Sequence, residues 1–76
     1  MDLIEQVQGA NKGLTITLDR KDIIKMVIWW DPSWARKERC QADITFKKND
    51  IVSKITLKTE TLPELFSKLQ TFLLSL

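Results

Sequence analysis

The stretch CQADITFKKNDIVSKITLKT, residues 40–59, decides the fold. From Cys40 onward the chemistry alternates: Cys40, Ala42, Ile44 and Phe46 fall on one parity, and Gln41, Asp43, Thr45 and Lys47 on the other. That is the period of a strand with one face in a core and one in water. Asn49-Asp50 supplies a tight turn. Pairing across it sets Phe46 opposite Ser53, Ile44 opposite Ile55 and Ala42 opposite Leu57, so two independent alternations agree in one register.

An oily sheet face needs a cover, and TLPELFSKLQTFLLSL (residues 61–76) provides one. Thr61 and Glu64 have capping-box spacing, and Pro63 sits in the first turn, where its missing N–H costs little. Leu62, Leu65, Phe66, Leu69, Phe72, Leu73 and Leu76 recur at helical spacing, with Leu74 off the stripe. This helix is expected to lie across the inward face of the sheet.

On the N-terminal side, Leu14, Ile16 and Leu18 alternate with Thr15, Thr17 and Asp19, a further half-buried strand. The next strand, IIKMVIWWD (residues 23–31), is apolar on both parities. Lys25 decides for Ile24, Met26, Ile28 and Trp30 inward, which pairs Leu18 with Ile24 and Ile16 with Met26 across a loop such as Arg20-Lys21-Asp22. Leu3, Ile4 and Val7 share one helical face, with Asp2 able to cap and Gly9 able to stop, so a short N-terminal helix fits residues 2–9. The predicted class is α+β: a four-stranded antiparallel β-meander with one C-terminal helix packed across one face, in a single domain spanning residues 1–76.

With 43% hydrophobic and 29% charged residues, the chain is too apolar to be disordered. At 76 residues it buries only about 60 to 65% of its unfolded surface, so oligomerisation would be a natural supplement to the core. No apolar run approaches the length of a membrane span, and Asp2 and Glu5 interrupt any signal-peptide pattern, so a soluble chain without membrane contact is expected. One cysteine, Cys40, excludes an intrachain disulfide and suits a reducing, cytoplasmic setting. There is no histidine and no tyrosine, and Cys40 lies on an inward parity, so the usual nucleophile–base pairs and nitrogen or sulfur metal sites cannot be assembled. Gly9 and Gly13, the only glycines, make no phosphate-cradling loop. The chain is therefore expected not to be an enzyme, and to need neither cofactor nor metal.

What remains is surface. Residues 20–58 carry ten Lys/Arg against five Asp/Glu, while the rest carries two against five. This asymmetry hints at an anionic partner for the middle. The sheet's second face is expected to present Val27 and Trp29 among threonines and lysines, with Lys25, Lys47, Lys54 and Lys58 on it as candidate nucleic-acid contacts. Beyond Asp31-Pro32, a loop carries Trp34, Arg36, Lys37 and Arg39. Trp and Arg are the usual anchors of protein interfaces, so Val27, Trp29, Trp34, Arg36, Lys37 and Arg39 are the candidate partner-binding residues. A protein partner or a second copy, as a homodimer, is the first expectation. Single-stranded DNA or RNA on the same basic, Trp-containing surface is the alternative. In the order of its elements, four strands and then a helix, the chain resembles the repeat unit of Whirly and Pur-type single-stranded nucleic-acid binders, which implies that second function. Small size and the missing catalytic residues suit an accessory or inhibitor protein of a phage.

Overall fold

The computed structural model describes residues 3–10 and 13–76. Its elements are α1 (Leu3–Gly9), β1 (Leu14–Ile16), β2 (Ile23–Trp30), a 3-10 turn (Arg36–Glu38), β3 (Cys40–Lys48), β4 (Ile51–Thr59) and α2 (Leu62–Ser75). The strands form one antiparallel sheet in the order β1-β2-β3-β4. The expected α+β meander with its C-terminal helix is the observed fold, and the expected short N-terminal helix is present as α1. Its proposed cap, Asp2, lies outside the described residues.

β3 and β4 pair in the register read from the alternation: Phe46 with Ser53, Ile44 with Ile55, Ala42 with Leu57. Asn49 and Asp50 both take positive φ, 53° and 62°. This is the left-handed geometry that lets a two-residue turn follow the twist of the strands. Inward side chains Cys40, Ala42 and Ile44 join Met26, Ile28, Val7, Leu62, Leu65 and Leu69 in the core. Phe46 meets Phe72 of α2 edge to face, with ring centroids 5.2 Å apart.

β2 departs from expectation at its first residues. Ile16 pairs with Met26 as expected, but β1 ends there and no Leu18–Ile24 pair forms. Ile23 pairs with Phe46 while Lys25 pairs with Thr45, so Ile24 is the extra residue of a β-bulge. Ile23 is consequently buried and Ile24, expected inward, is 55% exposed. The ladder explains why: the Lys47 N–H donates to the carbonyl of Asp22, which holds the chain one residue ahead of a regular register. Arg20 fixes the same corner, gripping Asp22 with two hydrogen bonds (3.0 and 2.7 Å) and donating from Nη1 to the carbonyl of Leu73 near the end of α2. Its guanidinium holds the Asp22 carboxyl below the usual carboxylate range.

α2 is capped by Thr61, whose hydroxyl accepts from the Glu64 N–H and donates to the Glu64 carboxylate, a local variant of the expected box. The cover of the inner face is shared. α2 packs on β3 and β4, and α1 packs on β2 through Val7 and Ile4. No helix of the described residues is long and apolar enough to cross a membrane.

Candidate functional site

Outward parity on three strands brings Lys25, Val27 and Trp29 of β2, Asp43 and Thr45 of β3, and Lys54 and Thr56 of β4 around a groove of about 300 Å³ on the outer face. Of the residues expected on this face, the groove thus gathers Val27, Trp29, Lys25 and Lys54. Trp29 is not loose within it. Its Nε1 donates to Asp43 Oδ2 at 3.1 Å, and Asp43 Oδ1 also accepts from Gln41 Nε2 (3.0 Å) and Thr56 Oγ1 (2.9 Å). One carboxylate thereby ties three strands together. Gly13, at φ +84°, lays its backbone against the indole: a Cβ there would stand 2.8 Å from Trp29 Cε3. Trp29 is half-buried in consequence.

The cations expected to meet phosphate are partly engaged. Lys58 pairs with Glu38 (3.7 Å), Lys47 with Asp50 (3.9 Å) and Arg36 with Glu60. Lys25, Lys54 and Lys37 have no ion pair among the described residues. Arg39 is half-buried, and its Nε has no hydrogen-bond partner.

The loop between β2 and β3 is closed at its base by the Asp31 N–H on the Arg39 carbonyl (3.0 Å). Inside it, the Trp34 N–H donates to the Asp31 carbonyl, and the Ser33 N–H and hydroxyl both donate to Asp31 Oδ1 (2.9 and 2.7 Å). Those bonds, the Ser33 hydroxyl first, hold the Asp31 carboxyl below its ordinary range. The 3-10 turn is then clamped against the end of β4 by Arg36–Glu60 and Glu38–Lys58. On this braced loop Trp34 remains 37% exposed.

A second groove, also about 300 Å³, opens on the inner side between α1, α2 and the strands β1 and β2. Leu3, Ile16, Leu18, Met26, Leu73 and Leu74 contribute to a lining whose one polar residue is Gln70. The off-stripe Leu74, 80% exposed, stands at it, and the sequence pattern gave no sign of this groove. The Asp43 hub had no signal either, because an aspartate on an outward parity reads as an ordinary solvated residue. Cys40 is fully buried beside the Glu60 carbonyl (3.7 Å), and burial pushes its thiol up. Comparison with protein-family models, curated proteins and solved structures finds no match, so the functional argument rests on this geometry.

Proposed function

We propose that the chain is a small non-enzymatic binding module that acts by contact with another protein, or with a second copy of itself, through the Trp34 loop. The observation that carries this reading is the contrast within the loop: its backbone and charged ends are fastened at every turn, yet its tryptophan is left 37% exposed. An aromatic presented on a hydrogen-bonded loop costs little backbone freedom on binding, and preorganisation of that kind favours affinity. Lys37 stands exposed beside it and can meet acidic groups at the rim.

Two observations favour protein over nucleic acid. Lys47, Lys58 and Arg36 already face carboxylates, and in the outer groove the Asp43 carboxylate offsets part of the charge of Lys25 and Lys54. The apolar inner groove suits aliphatic side chains and offers nothing to a sugar–phosphate backbone. A reduced, buried Cys40 suits a cytoplasmic setting, and the absence of histidine suits an accessory or inhibitor role rather than catalysis.

The test is capture on immobilised chain from nuclease-treated extract, followed by titration of the retained protein. Trp34→Ala should weaken that binding by about 30-fold, the effect of a hot-spot residue. A ligand that disappears with nuclease, or a partner indifferent to Trp34→Ala, sinks the reading.

A further inference from the structure

We propose that the free edge of β4 receives an extended, acidic segment of the protein partner as a fifth strand. The proposal rests on the protein-binding reading and adds the partner's chemistry and a second contact surface.

Backbone phase comes first. A two-residue turn of the Asn49-Asp50 kind closes on a hydrogen-bonded pair, here Lys48 and Ile51, and bonded pairs then recur at every second residue. Independently, the Lys47 N–H points to β2, where it meets the Asp22 carbonyl, so Phe46 and Lys48 turn toward β4. Odd residues of β4 therefore bond to β3. Val52, Lys54, Thr56 and Lys58 direct their N–H and C=O groups away from the sheet, and all four are exposed. β4 runs nine residues with no proline and no register shift, whereas the opposite edge, β1, has three. A long regular edge is a template for strand addition.

Charge selects the occupant. β4 carries Lys54 and Lys58 and no acid, and both lysines sit on the outward parity. In the registers that pair most of β4, a second copy meets repulsion. Two-fold pairing centred on Lys54 stacks that lysine on itself, and centred on Thr56 it sets Lys54 opposite Lys58. Centring on Ser53, Ile55 or Leu57 still leaves lysines diagonal to one another, within about 7 to 8 Å. An incoming strand with acids on alternate positions instead lays one carboxylate beside Lys54, which has no ion pair among the described residues, and another beside Lys58, which already shares its charge with Glu38. Its intervening apolar residues then cover Ile51, 65% exposed, and the half-buried Ile55 and Leu57. Nucleic acid cannot take this place, since its backbone has no N–H donors to alternate with acceptors.

The experiment is an amide NMR titration of the full chain with a peptide of alternating Glu and Val. The expected result is shifts and slowed solvent exchange concentrated at the amides of Val52, Lys54, Thr56 and Lys58. These should be lost with Lys54→Pro, which removes an outward N–H that an edge strand can spare, and lost when the peptide backbone is N-methylated. Lys54→Ala, which keeps the N–H, should weaken binding by up to about fivefold, the effect of one exposed ion pair. If Lys54→Pro fails to fold, the methylated peptide alone carries the test. Equal binding of a Lys–Val peptide, shifts centred elsewhere, or amides of Val52, Lys54, Thr56 and Lys58 already protected in a free chain of dimer mass would overturn the proposal. Failure of the peptide while a partner is still retained through Trp34 removes only the edge; failure of both removes the protein-binding reading as well.

Discussion

Asp43→Ala should destabilise the fold by about 2 kcal/mol, and Asp43→Asn by well under half of that. The three donors on Asp43 are not equivalent. Thr56 is exposed and its hydroxyl can turn to water or reverse to accept; Gln41 can flip its amide and present oxygen in place of nitrogen. The indole N–H of Trp29 can only donate, and it is pinned under Gly13. Alanine therefore strands one half-buried donor, a loss of about 1 to 3 kcal/mol, and gains nothing from strand propensity, because Ala and Asp are both poor strand formers. Asparagine can set its oxygen on Trp29 while Thr56 and Gln41 reorient, which forfeits only the charge assistance. Urea denaturation measures both variants, with the midpoint read at unchanged slope. A cycle with Trp29→Phe should return a coupling of about 1 to 2 kcal/mol. If Asp43→Ala melts within about 0.5 kcal/mol of the parent, water replaces the carboxylate and Trp29 is not held by it.

Gly13→Ala should cost about 2 kcal/mol or more, from left-handed strain and from collision with the indole, again read by urea melt; a neutral effect would mean the segment shifts freely off Trp29. Because Asp22 titrates below its unfolded value, its contribution is present above about pH 4 and is lost as pH falls through the folded value. Thermal melts of Asp22→Asn should accordingly fall less steeply with acid than those of the parent, with a residue of acid sensitivity left from Asp31. Trp34→Ala should cost less than about 2 kcal/mol of stability, against the 3 to 5 typical of a core tryptophan, and a larger loss of midpoint would make Trp34 architecture rather than anchor.

The hairpin and α2 were readable because each is specified twice over. Two alternations share one register across Asn49-Asp50, and a cap, a proline and a periodic stripe agree on residues 61–76. At the start of β2 no such redundancy exists. Ile23 and Ile24 are the same side chain, so no pattern says which one enters the core. The choice is made by the Lys47–Asp22 hydrogen bond and the Arg20 clip, contacts between residues distant in the chain. Trp29 was expected on the outer face and is there, but its cover by Gly13 depends on the path of the backbone before β1, which side-chain periodicity does not encode.

These contacts divide the outward tryptophans by role. Trp29 is bonded to Asp43 and covered by Gly13, so recruiting it as an anchor would first break contacts that join β2, β3 and β4. Trp34 has its backbone fastened and its ring partly free, so contact there disturbs nothing in the sheet. We therefore centre the proposal on the Trp34 loop and the rim, rather than on the outer sheet face that was expected to share the interface with it. The Trp34 loop is tied to the end of β4 through Lys58 and to Glu60 just beyond it, and the unpaired edge begins at Lys58. A partner strand running along β4 would end at the 3-10 turn that follows Trp34 in the same loop, so the proposed edge and the proposed anchor lie on one connected segment.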